Sequence, residues 1–195
     1  MTRNLFGRNH LSLSLRPVGG EIYAHVFENP RTGVPRNLFW NMRVEFEPVT
    51  LEGDEWDCSF LADWLTWPVR TWHDLDGMDL EKVELPEMVE PSLYVLAEHH
   101  PATVRELRLG GRKGSSFEAA VTASAQIRTE RGQSTVPISF VCSLQFIGII
   151  VVSGNLEPKP STPAHAGEAV AQFILMDGLR QPRSEEWRYV LEPET

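Results

Sequence analysis

Cysteine is nearly absent from this chain of 195 residues, and its two thiols, Cys58 and Cys142, could make at most one bridge. A disulfide-stapled secreted scaffold is therefore excluded, and a reducing cytoplasm is the better setting. Residues 1–19 lack the unbroken apolar core of a signal peptide. The longest apolar run, 138–152, is interrupted by Ser139, Ser143, Gln145 and Gly148 and falls short of the roughly 20 residues a membrane helix needs. No Asn-x-Ser/Thr sequon and no polybasic anchor occurs, so secretion and membrane attachment have no support. Basic residues are outnumbered as well, 18 Lys and Arg against 27 Asp and Glu. That balance argues against a nucleic-acid partner, whose backbone demands clustered cations. Nucleophile signatures are also missing: there is no Gly-x-Ser-x-Gly elbow, and neither cysteine sits in a reactive motif. The expectation is a chain with no catalytic residue, no metal and no cofactor.

What the chain does have is alternation of period two. Leu11, Leu13 and Leu15 alternate with polar residues, Gly19-Gly20 follows, and Ile22, Ala24 and Val26 resume the pattern, which predicts a hairpin over 11–27. Met42, Val44 and Phe46 mark a third strand. Residues 93–98 and 104–109 read as two more, joined through His99-His100-Pro101. Phe117, Ala119, Val121, Ala123, Ala125 and Ile127 form the clearest strand, and 138–152 continues the pattern until Gly148 suggests a bulge.

Helix is scarce. Thr162 as cap, Pro163 at the first helical position and Gly178 at the C-terminal end predict one helix, with Ala166, Val170, Phe173 and Ile174 as its stripe. Phe60/Trp64 and Leu61/Leu65 suggest a shorter helix over 59–67, stopped by Pro68. The fold class expected is α+β: one β-rich domain over residues 1–195, a mainly antiparallel sheet or two packed sheets, with one docked C-terminal helix.

Charge is distributed unevenly. Residues 45–90 hold 14 Asp and Glu against Arg70 and Lys82, a net −12, while the whole chain totals −9 and the remainder is about +3. Four of the six tryptophans, Trp56, Trp64, Trp67 and Trp72, fall in the same stretch. Negative charge steers a basic partner and large aromatics hold it. The expected partner-binding surface therefore has Trp67 and Trp72 as anchors within a surround of Asp54, Glu55, Asp74, Asp76, Asp79 and Glu81.

Several motifs fail on inspection. Asp74-Leu75-Asp76-Gly77 resembles part of a calcium loop, but with Gly77 at the turn the first and twelfth ligand positions fall on Trp72 and Val83. His99 and His100 on one strand point to opposite faces and do not share an ion; one buried and one exposed imidazole is the reading preferred. His73 beside Asp74 lacks demonstrated acid–base geometry. Gly110-Gly111-Arg112-Lys113-Gly114-Ser115-Ser116 has neither the spacing nor the following helix of a phosphate loop and reads as a hairpin turn. Around it lie Arg105, Arg108, Arg112, Lys113, Arg128 and Arg131. These form a basic edge that is solvated, or that meets the acidic stretch of its own chain or of a second copy.

The acidic, Trp-rich segments Asp54-Glu55-Trp56-Asp57 and Asp63-Trp64-Leu65-Thr66-Trp67, together with small size and the missing reactive centre, give the chain a likeness: it resembles the bacterial immunity proteins that neutralise polymorphic or type VI-delivered toxins. The resemblance is to the class across the whole chain and matches no diagnostic motif of one family. It implies a non-enzymatic, cytoplasmic protein that binds a cognate, basic toxin domain, with a homodimer as a further possibility. The alternatives are a small metal-assisted hydrolase or carbohydrate-binding module using Trp67, Trp72, His73, Asp74 and Asp76, or a structural subunit whose acidic and basic faces mate head to tail.

Overall fold

The computed structural model describes residues 13–51, 53–79, 89–129 and 132–194. Nine strands dominate it: β1 (Pro17–Asn29), β2 (Val34–Leu51), β3 (Asp54–Leu65), β4 (Ser92–Val95), β5 (Glu98–Lys113), β6 (Ser116–Thr129), β7 (Gly132–Val152), β8 (Arg183–Glu185) and β9 (Arg188–Leu191). They form one sheet in the order β1-β2-β3-β4-β5-β6-β7-β9-β8 rather than two packed sheets. Every neighbour in that order is antiparallel. A second, parallel ladder joins β1 to β7 from Glu21↔Gln145 to Val26↔Val151 and closes the first seven strands into a barrel. The mainly antiparallel α+β class expected from alternation is the class observed.

Alternation places one face of each strand inside. On β6 all six apolar residues of the predicted stripe, Phe117 to Ile127, are buried, because a side-chain period of two keeps them on the same face. The interior of so small a barrel is filled by side chains, here including Trp40, Met42, Phe60, Leu93, Leu107 and Phe146. After β3 the chain passes through a 3₁₀ turn, Trp72–Leu75, and lays Trp67, Val69, Trp72 and Leu75 on this core. Trp72 stacks on Phe146 at 4.9 Å and meets Phe117 edge-on at 6.2 Å; Trp67 lies 6.0 Å from Trp40.

Four expectations need correction. Residues 13–16 are not a strand, and Leu11 and Ser12 lie outside the described residues. Gly19-Gly20 lies within β1, whose hairpin to β2 turns at 30–33 instead. Gly20 serves a close approach rather than a turn: a Cβ there would stand 2.5 Å from Leu144 Cδ2 and 3.0 Å from the Arg43 carbonyl. The β4–β5 hairpin turns at Leu96-Ala97, both with positive φ (56° and 58°), so His99-His100-Pro101 belong to β5. Such mirror-type turns match the twist of the flanking strands, and without Gly or Asn the position carries no signal in the sequence. Residues 59–67 are not a helix; 59–65 belong to β3.

The C-terminal helix, α1, runs only from Pro163 to Ala171. Thr162 caps it, accepting the His165 N–H at 3.2 Å. It ends before Phe173 and Ile174 because the chain is drawn away: the Leu175 N–H donates to the Arg70 carbonyl at 2.8 Å, and Gly178, at φ +72°, takes the Trp72 Nε1–H on its carbonyl at 3.2 Å. Gly148 is a bulge as expected, at the register shift between the β1 and β7 ladder, and its backbone lies against the Leu191 carbonyl.

Burial of Trp72 (1% exposed) converts it from an expected surface anchor into a core residue. Trp72→Ala should therefore lower the unfolding free energy by about 3–5 kcal/mol, read as a shift of the urea midpoint in the free protein. A shift below about 1 kcal/mol would place the ring at the surface after all.

Candidate functional site

The site expected from sequence does not assemble. Trp67 and Trp72 are buried in the core and cannot anchor a partner on the folded surface. Asp74 caps the 3₁₀ turn: Oδ2 accepts the N–H groups of Arg70 and Thr71, each at 2.9 Å. Those donors, Thr71 first, hold its carboxyl below the usual carboxylate range. Asp76 Oδ1 accepts the Arg112 N–H at 3.4 Å, and Asp79 pairs with Arg108 at 3.4 Å. Backbone bonds between Gly77 and Leu109 and between Leu109 and Met78, each within 2.9 Å, dock this loop along β5. The Arg112 guanidinium lies 5.4 Å over the Trp72 ring. The acidic loop thus meets the basic hairpin of its own chain. Asp54 and Glu55 are exposed at the β2–β3 hairpin, and Glu81 lies outside the described residues. Among the described residues no three of His, Cys, Asp or Glu gather as a metal site, and of the five residues named for a cleft, Trp67, Trp72, His73, Asp74 and Asp76, the two tryptophans are buried in the core.

A different constellation is built on the outer face, and it starts with a bulge. Met42 pairs Ala62 and Trp40 pairs Leu65, so Asp63 and Trp64 together oppose the single residue Asn41. Trp64 takes φ +64°, a conformation that glycine adopts cheaply and a bulky residue does not. The extra residue places Asp63 and Trp64 side by side on the outer face while Ala62 and Leu65 stay inside.

Asn41, 2% exposed, holds the bulge from below. Its Oδ1 accepts the Trp64 N–H at 3.4 Å, and its Nδ2 donates to the Phe39 carbonyl at 3.3 Å and to His25 Nδ1 at 2.8 Å. With Nδ1 accepting, the His25 proton sits on Nε2. Burial lowers the His25 pKa to about 4, so the ring is neutral at physiological pH. Around the Trp64 ring stand His25, Phe27 and Phe39, edge-on at 5.1, 5.0 and 5.2 Å.

Beside this aromatic cluster opens a cleft of about 530 Å³, lined by Asp63, Trp64, Val89, Glu90, Pro91, Ser92, His99, Pro101 and Ala102. Among the described residues two carboxylates face it and no Lys or Arg lines it. Asp63 makes no hydrogen bond or ion pair among the described residues. Burial first, then the charge of Glu90, push its carboxyl above the usual range, while His99 draws it back. Ser92 Oγ lies 3.1 Å from His99 Nδ1. A nucleophilic triad would need the carboxylate to orient that imidazole, and no hydrogen bond joins Asp63 to His99. His100, by contrast, is buried between strands, with Nε2 3.1 Å from the Val95 carbonyl. The expectation of one buried and one exposed imidazole is met.

Both cysteines are free, and burial raises their thiols, to about 12 for Cys58 and about 11 for Cys142. Trp187 is the exposed tryptophan, 60% accessible at the tip of the β8–β9 hairpin, with the Arg188 guanidinium 5.3 Å over its ring. Trp187 and Ser92 were not singled out in the sequence, and Asp63 and Glu90, though within the acidic stretch 45–90, were not among its named contacts, because a bulge and a cleft between strands distant in sequence leave no local pattern.

Two predictions follow from these groups. His25 has a folded pKa lowered to about 4 against 6.5 in the unfolded chain, so between those values the unfolded state binds more protons. Its contribution to stability is thus lost as pH falls through that window. His25→Gln should flatten the acid slope of the urea midpoint relative to wild type between about pH 6.5 and about pH 4; equal slopes would contradict the assignment. Asp63 runs the other way, since its folded pKa is raised and ionisation opposes folding. Asp63→Asn should be more stable than wild type at neutral pH, with the advantage vanishing in acid, where both side chains are neutral; a destabilised variant at neutral pH would show that the carboxylate supports the fold.

No protein-family model matches the chain, and no curated protein or solved structure matches it either.

Proposed function

We propose that this chain is a non-enzymatic, acidic protein-binding domain of the immunity type, which binds a basic toxin domain in the cytoplasm and neutralises it. The observation that carries the reading is the outer cleft beside the β3 bulge, where Asp63 and Glu90 face solvent with no Lys or Arg among the described lining residues. The partly buried Asp63 carboxylate, disfavoured by its desolvation, raises the energy of the free protein, and a basic partner relieves that cost on binding. Asp54, Glu55 and Asp57, exposed at the β2–β3 hairpin, extend the negative field that would steer such a partner. The barrel interior is filled by aromatic and aliphatic side chains, so the outer face is the better candidate for recognition. Replacement of the partner's water by the Trp64 wall would slow release once contact is made.

The test is co-expression with the product of the neighbouring reading frame. That product should arrest growth alone and be tolerated with this chain present, and the purified pair should form a complex. Asp63→Lys with Glu90→Lys should leave the fold intact by circular dichroism and slow association by about tenfold or more at low salt. A neighbour that is harmless or unbound contradicts the reading, as does full protection by the doubly reversed variant.

A further inference from the structure

We infer that the cleft between the β3 bulge and the β4–β5 hairpin receives a guanidinium, the arginine side chain of a partner protein, with Asp63 and Glu90 as its two acceptors and Trp64, Pro91 and Pro101 as its walls. The inference rests on the protein-binding reading and names the group that the cleft recognises. Four features select that chemistry. Among the described residues the lining offers two carboxylates and no Lys or Arg, so an anionic ligand is repelled and a cationic one is favoured. Asp63 is only half exposed and has no hydrogen-bond partner among the described residues; an acceptor held in that state gains most from a charged donor. Among the described residues the remaining wall is mostly apolar, Trp64, Val89, Pro91, Pro101 and Ala102, with Ser92 and His99 as its polar members. An ammonium ion is strongly hydrated and gains little from such a wall, whereas a planar, weakly hydrated guanidinium packs against aromatic and apolar surfaces while its edge donates to carboxylates. The volume, about 530 Å³, accommodates an arginine side chain with room for part of its backbone.

The bulge makes this arrangement. Without the extra residue, Asp63 and Trp64 would fall on opposite faces of β3, and only one of the pair could reach the cleft. The positive φ of Trp64 is thus retained at a place where both side chains are needed together.

The test titrates the intact protein with N-acetyl-arginine amide, followed by calorimetry, beside N-acetyl-lysine amide. The arginine derivative should bind saturably in the millimolar range, and the lysine derivative several-fold more weakly. Asp63→Asn with Glu90→Gln, which preserves shape and removes both charges, should abolish saturation; Asp74→Asn with Asp76→Asn, in the docked acidic loop, should leave it unchanged. Absence of saturation in wild type, equal binding of the lysine derivative, or undiminished binding by the Asp63/Glu90 variant would overturn the inference. Were the arginine derivative not to bind while Asp63→Lys with Glu90→Lys still removed toxin protection, the guanidinium assignment would fall alone. Arginine binding lost with the Asp63/Glu90 variant would uphold this assignment even if no neutralised toxin were found.

Discussion

The structure depends on β7 being shared. Over 21 residues it pairs β6 along its first part, β1 in parallel along its second, and β9 at its end. Parallel closure is what turns a meander of antiparallel hairpins into a ring, and a ring leaves its inward side chains a shared interior to fill. The change from β6 to β1 falls at Gln145, and the parallel ladder shifts register at the Gly148 bulge just beyond, where the backbone also lies against β9 and leaves no room for a side chain. One glycine therefore accommodates both the shifted β1 ladder and the approach of β9. The C-terminal segment then returns across the loop after β3, tying Arg70 and Trp72 to residues 175 and 178.

That closure decides what becomes of the acidic stretch. Its middle part, 66–79, is drawn onto the end of the barrel, where four of its apolar side chains join the core and its carboxylates cap a turn or meet Arg108 and Arg112. Local crowding of negative charge is offset within the fold by the basic β5–β6 hairpin. Among the described residues the carboxylates of this stretch without an ion pair or hydrogen bond lie elsewhere: Asp54, Glu55 and Asp57 at a hairpin tip, and Asp63 with Glu90 in the cleft. Two local costs coincide there, a bulky residue at positive φ and a half-buried carboxylate that resists ionisation. Strain and unfavourable burial concentrated at one accessible place are the physical grounds for reading it as a site.

Alternation made much of the sheet legible in advance. β6 could be read residue by residue because its inward positions run from Phe117 to Ile127 without a break, and His99 and His100 divided between faces as a strand requires. β3 was misread as a helix for a definable reason. The pairs four apart that suggested it, Phe60/Trp64 and Leu61/Leu65, are split by the bulge, which leaves Phe60 and Leu65 buried and puts Leu61 and Trp64 outside. The same bulge hid the site, because it is the only reason Asp63 and Trp64 share a face. Tryptophans were legible as anchors of something, but not of what: Trp67 and Trp72 serve the core. Composition gives the number of aromatics, and only the path of the chain after β3 decides which side they take.

The central claim is that recognition belongs to the Asp63–Glu90 cleft and not to the acidic loop at 74–79. Amide-resolved NMR mapping of the intact protein with an arginine-rich peptide tests it most directly. The account predicts saturable shifts centred on Asp63, Trp64, Ser92 and His99, with Asp74, Asp76 and Asp79 nearly unmoved. Shifts centred on the loop, or spread over all exposed carboxylates alike, would contradict it.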